Sequence, residues 1–272
     1  MEPLYFGHSG QQLFGLLHTA SGSKDLKIGV VLCNSLGQEH IRSHRCYLTV
    51  ANKLAAAGVN VLRFDFFGSG DSAGNLEEAH IANWIDDIHT AVTEVKQRYE
   101  VDQIYLVGVR FGATLASVYA AKHLVDGVVL WSPVINGKQY VEELQLFNRI
   151  WLNGTFATCK KPVNGAIESL GFIFPKPLVE EIKVINLVNT NYNPKIQFSI
   201  VEGEDNPPIE NLIEVLKKEN INPIFTYVES NEFWVKRKDV EANSLVPLAT
   251  INIIVDLILK NITKTCYDGR SS

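Results

Sequence analysis

A chain of 272 residues is long enough to bury roughly three quarters of its unfolded surface, so a single large core needs neither disulfide staples nor a structural metal. The hydrophobic fraction of 46% and charged fraction of 20% are those of a soluble globular protein. A net charge of −5 gives no electrostatic reason to hold nucleic acid or an anionic membrane, and no apolar run approaches the length of a membrane span.

Leu4–Phe6 and Gln12–His18 flank Ser9–Gly10 and predict an antiparallel hairpin. Lys27–Cys33 and Val59–Phe64 are continuous apolar runs, the pattern of strands buried on both faces. Between them, His44–Ala57 has helical spacing and stops at Gly58. Glu78–Tyr99 is a long amphipathic helix with Ile81, Trp84, Ile85, Ile88, Ala91, Val92 and Val95 on one stripe. A strand at Gln103–Val107, a helix at Phe111–Lys122 and a strand at Val125–Trp131 follow. The alternation predicts an α/β fold, a mostly parallel sheet with helices on both faces.

After Pro133 the rhythm breaks. Residues 135–193 are rich in Asn, Gly and Pro, with apolar segments at Tyr140–Leu152 and Leu170–Phe174, and read as a lid or cap insertion. The core is thus expected over 1–134 and 194–265, and its second part carries strands at Lys195–Glu202 and Ile224–Val228 and helices at Ile209–Asn220 and Val240–Leu259. Residues 266–272 read as a flexible tail. The four cysteines, Cys33, Cys46, Cys159 and Cys266, form neither a C-x-x-C pair nor a metal-ligand spacing, and predict free thiols in a reducing, cytoplasmic setting.

The segment richest in chemical information is Gly108-Val-Arg110-Phe-Gly112, between a short apolar strand and a helix. A strand, a Gly-x-x-x-Gly turn and an immediate helix form the setting in which a nucleophilic serine is presented on a strained turn. Here the central residue is Arg110, which stays protonated and cannot attack a carbonyl. It can hold a carboxylate or phosphate through paired N–H groups. An ordinary strand–turn–helix with a surface arginine is the plainer alternative.

The residues from Cys33 to Arg45 (Cys-Asn-Ser-Leu-Gly-Gln-Glu-His-Ile-Arg-Ser-His-Arg) read as a charged loop. Ser35, Glu39, Arg42 and His44 are candidate binding residues there, together with Phe111 and Ser132. Three readings of this loop stand side by side: polar groups capping the next helix, an ion network around Arg110, or a displaced nucleophile–base pair of Ser35, Cys33 or Cys46 with His40 or His44. Leu62-Arg-Phe-Asp65-Phe-Phe-Gly68-Ser-Gly70-Asp71-Ser-Ala-Gly74 reads as a rigid turn, since no Gly-Lys-Ser/Thr follows to make a phosphate loop. Trp131-Ser132-Pro133-Val134 places Ser132 at the carboxyl ends of the strands, where ligands of such sheets bind, with no activating partner evident nearby.

Taken together, the stretches 33–45, 62–74, 108–116 and 130–140 resemble the serine-aminopeptidase-like branch of the α/β-hydrolase superfamily. The resemblance runs from Val30 to about Glu143, with weaker support at Glu168–Leu187 and Glu232–Trp234. It is strongest to a bacterial subgroup with arginine at the turn, encoded beside exopolysaccharide (exosortase), polyketide or nonribosomal-peptide genes. The resemblance implies an α/β-hydrolase fold, a lid, and a nominal ester, thioester or amide hydrolase acting on a small-molecule or carrier-bound acyl substrate with neither cofactor nor metal. In such proteins the triad runs Ser, then Asp or Glu, then His after the last strand. The seven histidines here end at His123. Glu232 lies near the place expected for the histidine, and Asp205 at the place for the acid. Arg110, Glu232 and Asp205 are therefore the candidate catalytic set, and Glu232, Asp205 and Glu39 the candidate partners of Arg110. Three functions fit: a pseudo-hydrolase that binds an acyl or anionic small molecule, an enzyme of non-standard mechanism, or an interaction protein with a vestigial pocket. The sequence does not speak to oligomeric state.

Overall fold

A computed structural model describes the chain except residues 22–25, 155–163, 204–205, 230–233, 235–245 and 269–272, and the side chains of 262–268. The strands are β1 (Glu2–Phe6), β2 (Leu13–His18), β3 (Ile28–Cys33), β4 (Asn60–Phe64), β5 (Gln103–Val109), β6 (Gly127–Trp131), β7 (Ile167–Ser169), β8 (Phe172–Phe174), β9 (Gln197–Glu202) and β10 (Ile224–Tyr227). The helices are α1 (Gly37–Ala56), α2 (Ile81–Tyr99), α3 (Phe111–Lys122), α4 (Gly137–Asn153), α5 (Lys176–Val184), α6 (Pro207–Lys218) and α7 (Leu248–Asp268). No helix among the described residues is long and apolar enough to cross a membrane.

Among the described residues, eight strands form one sheet in the order β1-β2-β4-β3-β5-β6-β9-β10. The β1–β2 and β2–β4 pairs are antiparallel, and the remaining pairs are parallel. Every residue of β3, β4 and β6 is buried, because helices cover both faces. Alternate residues point to opposite sides. Val31, Leu62, Leu106 and Leu130 join Trp84, Ile88 and Leu115 beneath α2 and α3. Val30, Val61, Val107 and Trp131 join Tyr47, Leu54, Ile251 and Ile254 beneath α1 and α7.

The path from β3 through α1 leads to β4 on one side of β3, while β5 lies on its other side. The chain therefore departs in opposite directions from the carboxyl ends of β3 and β5, and a crevice opens between them. The residues after β3 and after β5 meet there.

Three expectations are corrected. The stretch 33–45 is mostly helix: α1 begins at Gly37, seven residues before the predicted start at His44. Its buried positions run Glu39, Ser43, Cys46, Tyr47, Val50, Leu54, so the helical spacing continues upstream on polar side chains that a hydropathy pattern passes over. The last helix continues to Asp268, into the segment expected to be a tail; of the predicted Val240–Leu259 helix, 240–245 lie outside the described residues. Finally, β5 extends two residues beyond the predicted Val107 and runs directly into the turn at Arg110.

The segment between β6 and β9 contains α4, the β7–β8 hairpin and α5, and it is tied firmly to the core. Asn136 caps α4 by accepting from the Lys138 and Gln139 amides, and Gly137 is required because a Cβ there would lie 1.7 Å from the Ile182 carbonyl oxygen. On α5, Glu181 accepts from the Ile81 amide at 2.7 Å and pairs with His80 Nδ1 at 2.7 Å, docking the segment on the start of α2.

Candidate functional site

The turn after β5 puts Arg110 at φ 53° and ψ −122°, a region that costs a non-glycine residue on the order of 1–3 kcal/mol and persists only where its surroundings enforce it. They do so here. The Arg110 amide donates to the Trp131 carbonyl at 2.9 Å, and its carbonyl accepts from Ala113 and Thr114 at 3.1 and 3.2 Å. A Cβ on Gly108 would lie 2.4 Å from the Ala113 nitrogen, and one on Gly112 would lie 2.1 Å from the Cys33 oxygen. Both glycines let α3 start hard against the ends of β5 and β3. Tyr47 braces the same point, accepting from the Val109 amide at 2.8 Å and donating to the Cys33 carbonyl at 2.6 Å.

The Arg110 side chain is buried rather than on the surface, with 8% of the residue exposed. Its Nε donates to Glu39 Oε1 at 3.0 Å and its Nη2 to Glu143 Oε1 at 2.5 Å. The guanidinium carbon lies 5.7 Å from the Tyr140 ring centre and 5.4 Å from that of Trp234, within cation–π range of both. Glu39 Oε2 accepts from Ser35 Oγ at 2.5 Å and from the Tyr140 hydroxyl at 2.9 Å. Phe111 stacks on Tyr140 at 5.3 Å with 12° between the rings. Burial is the strongest single influence on Arg110 and pushes its pKa down, but the Glu39 and Glu143 carboxylates together outweigh it and hold the group above its ordinary value. The Tyr140 hydroxyl is held well above its ordinary pKa, first by burial and then by the facing Glu39 charge. Arg110 is a fixed cation and Tyr140 a fixed donor.

Of the carboxylates considered as partners for Arg110, Glu39 makes the contact, while Glu232 and Asp205 lie outside the described residues. Glu143, which sequence reasoning did not single out, is a second partner among the described residues. The displaced nucleophile–base pair is not assembled. Ser35 is 2% exposed and bonded to Glu39, and no described contact joins it to a histidine. Cys33 and Cys46 are buried free thiols; burial raises both pKa values, that of Cys46 to about 12, so neither is a thiolate at neutral pH. His40 instead lies 3.7 Å from Asp65, and the exposed His44 faces the charges of Arg63 and Asp65. Arg42 is half-buried on α1, where burial lowers its pKa.

Ser132 does have a partner, contrary to the sequence reading. Its Oγ donates to Glu202 Oε1 at 2.8 Å, and Glu202 also accepts from the Gly203 amide and Asn206 Nδ2. Ser132 is 2% exposed, so this pair is sealed from solvent. The 62–74 stretch is a structural turn: the Asp65 carboxylate accepts from the Asp71 amide, and a Cβ on Gly70 would strike Asp65.

Two small spaces adjoin the described residues of this cluster. A mouth of about 80 Å³ opens over it, lined by Asn136, Gln139, Tyr140, Glu143, Asn206 and flanking prolines. Behind Glu39, a slot between Leu36, Leu144, Phe147, Phe174 and Trp234 holds only about 10 Å³. A larger groove of about 580 Å³ sits at the opposite, amino-terminal ends of β5, β6 and β9, far from this chemistry.

The profile of the serine aminopeptidase S33 family matches residues 28–170, which spans β3, the Arg110 turn and α4. The chain belongs to the serine aminopeptidase S33 family. As expected for an S33 member, its solved structural neighbours are α/β serine hydrolases and esterases, alike in fold and distant in sequence. Est1E from Butyrivibrio proteoclasticus with bound ferulic acid is 17% identical, with 96% of this chain and 99% of that chain covered and a TM-score of 0.65. A thermostable carboxyl esterase from Bacillus coagulans is 16% identical over 96% and 98% of the two chains, with a TM-score of 0.66. A putative hydrolase from Agrobacterium vitis S4 is 18% identical over 96% and 98%, with a TM-score of 0.61. No curated protein matches the sequence of this S33 member. It has the α/β-hydrolase fold, with arginine at the centre of the turn.

Proposed function

We propose that this protein is a pseudo-hydrolase that uses the site at Arg110 to bind the anionic end of a small or carrier-bound acyl molecule, without Ser-His-Asp chemistry. The observation that carries this reading is the guanidinium on the strained turn, enclosed by Glu39, Tyr140 and Trp234. Arg110 cannot act as a nucleophile. No histidine follows His123 to act as base in the usual place, and the two serines nearby, Ser35 and Ser132, are buried against carboxylates. In this reading the segment 135–193 is a lid that delivers Tyr140 and Glu143 to the site. The arginine marks a subgroup associated with exopolysaccharide, polyketide or nonribosomal-peptide synthesis, a setting rich in carrier-bound acyl groups.

The test is a serine-directed fluorophosphonate probe on the purified protein. No covalent adduct is expected by intact-mass spectrometry; stoichiometric labelling of Ser35 or Ser132 overturns the proposal. A second reading, an interaction protein with a vestigial pocket, draws on the small volumes among the described residues at the site, about 80 and 10 Å³ against the several hundred of an ordinary ligand pocket. Under that reading no small anion reaches Arg110 at all.

A further inference from the structure

The two carboxylates on Arg110 are not equivalent. The Glu39 side chain is 7% exposed, and between them its two oxygens accept from Ser35, Tyr140 and Arg110. Moving it would strand three buried donors. The Glu143 side chain is 32% exposed and sits on α4 at the rim of the mouth, so it already meets water where it reaches Arg110. We propose that Glu143 is a built-in occupant of an anion site on Arg110, and that a small monocarboxylate binds by displacing it. This deepens the binding function proposed above and rests on it.

The ligand class follows from charge and space. Exchange of the Glu143 carboxylate for another monoanion leaves the charge that faces Arg110 unchanged. A phosphate dianion would add a second negative charge beside the immovable Glu39. The mouth of about 80 Å³ equals the volume of two or three waters, enough for a carboxylate and its first carbons once Glu143 has left. Asn136, Gln139 and Asn206 are among the residues that line it. The rings of Tyr140 and Trp234 hold the guanidinium in place, so binding does not have to order it.

The experiment is a titration of the intact chain with propionate at constant ionic strength. Affinity is read by calorimetry, and location by the Arg110 Nε–H signal in ¹⁵N-arginine-labelled protein. If Glu143 covers the site about nine-tenths of the time, its removal raises apparent affinity about tenfold. Glu143→Ala is expected to bind propionate about tenfold more tightly than the parent chain, Glu143→Gln to fall between them, and the Arg110 signal to move on saturation. Equal affinity in the parent chain and Glu143→Ala overturns the proposal. So does the absence of binding to a folded Glu143→Ala, or heat with no movement of the Arg110 signal. Inorganic phosphate that binds Glu143→Ala as tightly as propionate overturns the assigned ligand class. No step of this titration depends on turnover, so its failure is separate from that of the fluorophosphonate test.

Discussion

Glu39 is the residue on which the buried cluster depends, and its removal tests that dependence. Glu39→Ala deletes one partner of an ion pair in which both side chains are at most 10% exposed, leaving the guanidinium with the half-buried Glu143 alone. Breaking such a pair from one side costs about 3–5 kcal/mol. The orphaned hydroxyls of Ser35 and Tyr140 add on the order of 1 kcal/mol each where water does not replace the carboxylate. The expected loss is therefore at least about 3 kcal/mol in urea unfolding followed by tryptophan fluorescence and far-ultraviolet circular dichroism. At roughly 2–4 °C per kcal/mol for a chain of this size, the melting temperature falls by about 10 °C. Glu39→Gln keeps the shape and is expected to lose about half as much. Replacing both charges, Glu39→Leu with Arg110→Met, is expected to recover most of the loss, because the charge left behind, Glu143, is 32% exposed and reaches water. A Glu39→Ala protein less than about 1 kcal/mol weaker than its parent would behave like one that had lost a surface pair, and would refute the reasoning.

Arg110→Ser is expected to fold and to show no hydrolysis of short p-nitrophenyl esters above background, since the turn regains a hydroxyl but no histidine follows His123 to activate it; measurable turnover would show that another base serves the site. Two buried groups give opposite pH dependences. Asp87, which accepts from the Phe67 amide, has its pKa raised to about 7, chiefly by burial, so its contribution to stability is full below pH 4 and is lost as pH rises through 7. His18, held between Arg63 and Asn52, has its pKa lowered to about 4, first by burial and then by the Arg63 charge, so its contribution is full above pH 6.5 and is lost as pH falls through 4. The two slopes oppose each other between pH 4 and 6.5. In urea unfolding, Asp87→Asn should therefore leave a stability that rises with pH across that window, and His18→Gln one that falls; unchanged profiles in both would refute the assignment.

The sequence by itself determined the sheet and its helices, because these follow from short-range pattern. Phe111–Lys122 was legible as a helix to the residue, since a two-glycine turn opens it and His123 closes it. The burial of β3, β4 and β6 was legible in their unbroken apolar runs. Arginine at the centre of the turn, and the end of the histidines at His123, were likewise plain in one dimension. Glu39 was one candidate among several for pairing with Arg110, but nothing local marked its place in the helix: the buried face of α1 passes through Glu39 and Ser43, which hydropathy scores as solvent-facing. Glu143 was out of reach for a different reason. It contacts Arg110 across 33 residues of chain, through an insertion whose own pattern says only that α4 is amphipathic. Ser132 and Glu202 are likewise joined across 70 residues, by two strands that pair in the sheet. Only the tertiary structure decides such partners. A charge can be kept in a dry interior only where folding brings opposite charge and hydrogen-bond acceptors to it, and the packing of α4 over the turn, rather than any spacing along the chain, supplies the second carboxylate to Arg110.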